Sequence, residues 1–224
     1  VENINWLELE LVIFDVDGTL YDQKKLRKKM MLALFLHYLM RPWRYKELLI
    51  LYHFRKEREK RHGYQSDDLQ TEQYLWVLSK VNVSLSRIKK VIDYWIFKYP
   101  NKYLKTCTYP GLEQFFAELK KKNIRTAIYS DYESEQKLKS MNIAVDLIVS
   151  STDTYVNAFK PIPIGLNYII TELKIKNSNC LFIGDRKELD GECALRAAIP
   201  FFLINEDNTG KQYYNMLSDQ LRNR

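Results

Sequence analysis

The chain has 224 residues, 46% of them hydrophobic and 13% aromatic, with only 7 Gly and 6 Pro, enough apolar material for a packed core and the wrong composition for a disordered or repetitive chain. Cys107, Cys180 and Cys193 are odd in number and widely spaced, which argues against a disulfide framework or a zinc site and for reduced cysteines in a cytoplasmic protein. The net charge of +7 is uneven: residues 22–104 hold 19 Lys or Arg against 8 Asp or Glu, and the rest hold 16 against 20, so two regions of opposite character are expected.

In chain order, Leu9 to Phe14 is almost wholly apolar, the pattern of a strand buried on both faces, and it runs into Asp15, Asp17 and Gly18. From there to Leu104 no strand pattern occurs. Four helices are predicted, at Lys24–Met40, Trp43–His62, Asp67–Lys80 and Ser84–Tyr99, with Pro42 at a helix start, Gly63 after the second helix and Ser84 as a cap. The longest apolar run, Met30 to Met40, is about half the ~20 residues of a bilayer crossing and contains His37, so no transmembrane span is expected.

Beyond Tyr109-Pro110-Gly111 helices and strands alternate: helix Leu112–Lys122, strand Ile124–Tyr129, helix Glu133–Met141, strand Leu147–Val149, helix Ile162–Leu173, strand Cys180–Ile183, helix Glu188–Ala198 and strand Phe201–Ile204. No element is assigned after Ile204. Such alternation predicts an α/β fold, a parallel sheet covered on both faces. Ligands of such sheets bind beyond the carboxyl ends of the strands, which singles out Asp15–Thr19, Ser130–Asp131, the loop at Lys160, and Gly184–Asp190.

Each of these places supplies one part of a phosphoryl-transfer site. Asp15 and Asp17 offer two carboxylates, and Gly18 allows a turn whose amides face a phosphate. The Ser130 hydroxyl and the Asp131 amide are candidate phosphate donors. Lys160 precedes Pro161, which favours an extended backbone that presents the lysine inward. Asp185 and Asp190, five residues apart, suit a metal and an orienting partner for the lysine. Taken singly each has an ordinary reading as a capped or solvated loop; four in order, each at a strand end, do not.

These motifs resemble those of the haloacid dehalogenase superfamily: D-x-D-G-T-L at Asp15 to Leu20, Ser130 after the second strand, Lys160 before Pro, and G-D-x-x-x-x-D at Gly184 to Asp190. The resemblance spans Leu9 to Ile204 and implies a three-layer, Rossmann-like core of residues 1–21 and 105–224, with an inserted all-helical cap of the superfamily's first class at residues 22–104. Two details depart from the commonest pattern: Asp131 stands where Asn or Gly is more frequent, and Ile162 replaces an acidic residue. Glu188 also competes with Asp190 for the second acidic role, although the spacing favours Asp190.

The resemblance implies a phosphatase in which Asp15 attacks phosphorus to give an aspartyl phosphate, while Asp17 protonates the leaving oxygen and then activates water. Dehalogenases of the superfamily lack the second Asp. Gly18, Thr19, Ser130 and Asp131 would surround the phosphate, Lys160 would stabilise the transferring group, and Asp190 would hold Lys160 or a metal-bound water. Facing carboxylates about 4 Å apart repel by roughly 4 kcal/mol at an effective dielectric of 20, so a cation is required between them. The implied cation is Mg²⁺, held by the Asp15 and Asp185 side chains and the Asp17 carbonyl.

The expected substrate is a small phosphate monoester, with a phosphomutase or phosphotransferase as the nearest alternative and a non-catalytic phospho-ligand binder as a more distant one. The basic, aromatic cap reads first as helices with a solvated charged face, second as a wall for an anionic substrate with an apolar portion. A third reading is contact of the Met30–Met40 run with an anionic membrane surface, which is not favoured because the same run suits a buried cap helix. No motif supports nucleic-acid binding, and nothing in the sequence sets the oligomeric state.

Overall fold

A computed structural model describes residues 4–204 and 212–223. Five strands form one parallel sheet in the order β3-β2-β1-β4-β5, where β1 is Leu11–Phe14, β2 is Arg125–Ser130, β3 is Leu147–Ser150, β4 is Cys180–Gly184 and β5 is Phe201–Leu203. The central strand β1 is buried along its whole length. Side chains alternate across a strand, so Val12 and Phe14 enter one apolar cluster and Leu11 and Ile13 the other. Two cores on opposite faces of one sheet make the three-layer α/β architecture expected of the alternating pattern.

The first face is covered by α6 (Leu112–Lys121) and α10 (Tyr213–Arg222), with Phe115, Leu119, Tyr214 and Leu217 buried there. The second is covered by α8 (Ile164–Leu173) and α9 (Glu192–Arg196), through Leu166, Ile169, Cys193 and Ala194. Helix α10 is an element the sequence reading omits. Its hydroxyl Tyr214 donates to the Thr19 carbonyl at 2.8 Å and so buttresses the turn after β1. Helix α7 (Glu135–Met141) follows β2.

Between β1 and α6 the chain is helical: α1 (Gln23–Leu39), a 3₁₀ turn at Pro42–Arg44, α2 (Tyr45–Glu59), α3 (Leu69–Leu78), α4 (Leu85–Ile92) and α5 (Asn101–Leu104). Asp22, Asp68 and Ser84 cap α1, α3 and α4 by accepting from backbone N–H groups three residues on. The expected fourth helix, Ser84–Tyr99, is α-helical only to Ile92 and continues as a π-helical turn from Asp93 to Lys98. The expected helix Glu188–Ala198 likewise opens as a π turn, Lys187–Gly191, before α9.

The helical layer is fastened to the loop that carries Lys160. Gly63 N–H donates to the Lys160 carbonyl and Phe159 N–H to the Tyr64 carbonyl. Asn157 accepts from Leu69 N–H and donates to the Asp67 carbonyl. Arg58 of α2 is buried and reaches further, donating to Gln73 and to the Asp131 carbonyl, with its guanidinium stacked 4.1 Å from the Tyr132 ring and 4.3 Å from that of Phe159.

Candidate active site

The carboxyl ends of β1, β2 and β4 and the loop after β3 converge on one cavity of about 520 Å³. Asp15, Asp17, Ser130, Asp131, Lys160, Asp185 and Asp190 all line it. A larger groove of about 1140 Å³ runs between α6 and the segment after α7, but none of these residues reaches it.

Asp15 follows β1 directly, and its N–H continues the ladder to the Ile183 carbonyl at 2.9 Å. One carboxylate oxygen lies 2.6 Å from Lys160 Nζ and the other accepts from Thr19 Oγ1 at 3.2 Å. Thr19 is fully buried. Its hydroxyl donates to Asp15 and so orients that carboxylate.

Lys160 is 1% exposed. Its ammonium bridges Asp15 and Asp190, whose Oδ1 lies at 2.7 Å. Burial works against that charge, but Asp15, Asp190 and Asp131 outweigh burial and hold the lysine well above its ordinary range. Asp190 accepts in addition from Arg186 N–H at 3.0 Å. Glu188, the competing acid, is an exposed side chain near Arg186.

One oxygen each of Asp15, Asp185 and Asp190 lies within 4.8 Å of the other two. Asp15 and Asp190 each have both oxygens in hydrogen bonds, and the three acids together offer the oxygen donors that a hard cation takes. Their electrostatics say the same. Burial raises the Asp15 carboxyl well above its ordinary range, opposed by Lys160 and reinforced by Asp190 and Asp185. Burial and the charge of Asp190 push Asp185 up to about 7. The turn between them is shaped for this approach: Gly18 has φ +102°, and a Cβ on it would fall 2.1 Å from Asp185 Oδ2.

Asp17 belongs to a different pair. Lys137 Nζ of α7 lies 2.5 and 2.7 Å from its two oxygens, and the Tyr21 hydroxyl donates to one of them. Burial raises the Asp17 carboxyl, but Lys137 and Tyr21 outweigh burial and the group rests below its ordinary range. Its side chain is therefore turned to Lys137, and only its backbone carbonyl is left as the metal ligand the resemblance implies.

On the β2 side, Ser130 is 1% exposed and its Oγ accepts from Tyr132 N–H at 3.3 Å. The Asp131 carboxylate faces away from the reacting groups, accepting from Ser151 Oγ at 2.7 Å and from Lys160 N–H at 3.5 Å. It braces the Lys160 loop, which gives the departure from Asn or Gly at this position a structural role. Arg186 completes the rim by pairing with Glu59 of α2 at 2.8 Å.

Lys137, Tyr21 and Arg58 were missed from the sequence. The signal for Tyr21 was its spacing, four residues after Asp17; Lys137 and Arg58 sit among other charges and only the fold sets them apart.

A family model described as haloacid dehalogenase-like hydrolase matches residues 12–204. No curated protein matches the chain. Among solved structures, a 2-haloacid dehalogenase from Pseudomonas syringae pv. Tomato DC3000 superposes with a TM-score of 0.64 at 14% identity, covering 95% of this chain and 99% of that one. A beta-phosphoglucomutase from Clostridium difficile gives 0.60 at 16% identity, with 96% and 100% covered. The HAD-hydrolase YfnB from Bacillus subtilis, bound to magnesium, gives 0.59 at 15%, with 93% and 98% covered. At these identities the likeness shows a shared fold, and the three activities named differ.

Proposed function

The chain belongs to the haloacid dehalogenase-like hydrolase family, and within it we propose a phosphatase that hydrolyses a small phosphate monoester through an aspartyl phosphate on Asp15. The observation that carries this reading is the second acid. Asp17 lies in the cavity beside Asp15, and a halide leaving group requires no proton whereas an alkoxide does.

Asp15 is the nucleophile because its carboxylate is held at both oxygens, by Lys160 and by Thr19, and fixed orientation is what turns a modest nucleophile into an effective one. Lys160 faces the transferring group as a permanent cation. Ser130 stands at the far wall as a donor to phosphate oxygens. The Asp15 and Asp185 carboxylates and the Asp17 carbonyl would hold Mg²⁺, which would supply charge neutralisation for a dianion among acids.

Asp17 rests as a carboxylate against Lys137, the state that takes a proton from the water of the second half-reaction. For the first half it must carry a proton. A phosphate dianion entering beside it raises its proton affinity, so that it takes this proton from solvent on substrate binding.

The test is a screen of phosphorylated metabolites, including sugar, nucleotide and lipid phosphates, for phosphate release with and without Mg²⁺. Metal-dependent release supports a phosphatase. Transfer to a second hydroxyl without free phosphate would make the protein a mutase, and halide release from 2-haloacids would overturn the reading.

A further inference from the structure

The first two cap helices carry an apolar face that the fold leaves bare. On α1, Met31, Leu32, Phe35, Leu36 and Leu39 share one side of the helix, and Phe35 and Leu39 are each 63% exposed. The tip between the helices adds Met40 and Trp43, at 75% and 73%. On α2, Tyr45, Leu48, Leu49 and Tyr52 fall at i, i+3, i+4 and i+7 and make a second exposed stripe. The Tyr38 hydroxyl donates to Glu47 at 2.9 Å, fixing α1 to α2 from the packed side.

This is a patch and not scatter: of eighteen large apolar side chains exposed among the described residues, eleven lie between residues 31 and 52. Nor does cap packing use it. The opposite side of α1 is already buried through Leu26, Met30 and Tyr38. The expectation that the Met30–Met40 run forms a buried cap helix therefore holds for one side of α1 only.

The charge around the patch identifies its occupant. Residues 22–56 contain ten Lys or Arg against two acids, Asp22 and Glu47, and Glu47 is already paired with Arg44 and Arg87. We infer that the α1–α2 hairpin docks on the surface of an anionic lipid bilayer, with its apolar stripes at the headgroup boundary and its lysines and arginines against lipid phosphates. Trp43, Tyr45 and Tyr52 are side chains that settle at such a boundary, apolar in body and polar at one edge. A second copy is the weaker occupant, because two-fold pairing sets this strongly cationic surface against itself. The contact is interfacial, since no helix among the described residues is long and apolar enough to cross a membrane.

Met30, Met31 and Leu34 of α1 also line the catalytic cavity, so docking brings the bilayer to the cavity's α1 wall. The inference does not depend on the reaction proposed above.

Co-sedimentation of the full chain with phosphatidylcholine vesicles, with or without phosphatidylglycerol, tests it. Binding is expected on the anionic vesicles and is expected to weaken as salt rises. Phe35→Ser with Trp43→Ser, and separately Lys28→Glu with Lys46→Glu, each lower the partition coefficient by about tenfold or more, with unchanged thermal melting as the control for folding. Failure to bind anionic vesicles at low salt, or binding by both double variants as strong as that of the unaltered chain, overturns the inference. A dimer that Phe35→Ser with Trp43→Ser dissociates, without vesicle binding, assigns the face to a second copy instead.

Discussion

Lys137 Nζ sits within 2.7 Å of both carboxylate oxygens of Asp17, a part-buried ion pair between α7 and the loop after β1. Removing the ammonium while keeping the stem, as in Lys137→Met, leaves Asp17 with the penalty of burial and only Tyr21 as donor. An opposite charge at this distance lowers a carboxyl by about 1–3 pKa units, so its loss raises Asp17. A base that must be ionised then works only at higher pH. The acid limb of the pH–rate profile is expected to move up by about 1–3 units, and an unmoved limb would separate Lys137 from the reaction.

Asp15 and Asp17 should fail differently. Asp15→Asn removes the proposed nucleophile and is expected to abolish turnover. It leaves Lys160 paired with Asp190 at 2.7 Å, so the fold persists. Asp17→Asn removes proton transfer alone and is expected to cost about 10² to 10⁴ in kcat. Steady-state kinetics beside thermal melting checks both: turnover by the first variant removes the covalent route, and less than a tenfold loss in the second reassigns the proton.

The legible part of this site is the part encoded next to a strand. Asp15, Ser130 and Asp185 stand one residue from an apolar run or at its end, so their convergence follows from the sheet. Lys137 does not, because in Gln136-Lys137-Leu138 it reads as a solvated helix lysine; its 6% exposure comes from the way α7 packs over the cavity. Arg58 is hidden for the same reason in a run of alternating charges. The side-chain contacts of Thr19 with Asp15 and of Asp131 with Ser151 were not legible, because a motif specifies residue type and not side-chain direction. Helix α10 was legible, with Tyr213, Tyr214, Leu217 and Leu221 on one face, but a polar stretch separates it from the last strand. Nothing local in Met31–Met40 tells a buried helix from one with a bare side, since that depends on what the rest of the chain places against it.

Gly18 ties the shape of the turn after β1 to the position of Asp185. Its φ of +102° is one that L side chains rarely adopt, and an added methyl group would collide with the Asp185 carboxylate. Gly18→Ala is therefore expected to displace Asp185 as well as strain the turn, at a stability cost of about 1–3 kcal/mol. The concentration of Mg²⁺ giving half-maximal activity is expected to rise at least tenfold. A variant with reduced stability but an unaltered metal requirement would show that the glycine serves the turn alone.

Magnesium should stabilise the folded protein in a pH-dependent way, and Asp185 sets the sign. Burial and Asp190 raise its carboxyl from 3.8 to about 7 on folding, so the folded, metal-free protein binds that proton more tightly than the unfolded chain does. The resulting stability is fully present below about pH 4 and is lost as pH rises through about 7. Asp15 is shifted in the same direction, whereas the lowered Asp17 loses its contribution only as pH falls below the ordinary carboxylate range. A divalent cation bound to the deprotonated carboxylates would reverse the loss. The rise in melting temperature on adding Mg²⁺ is expected to be small at pH 5 and larger at pH 8, with protons released on binding at intermediate pH. Calorimetric titration in two buffers of different ionisation enthalpy measures that release, and binding without any proton release across this range would show that Asp185 is not a ligand.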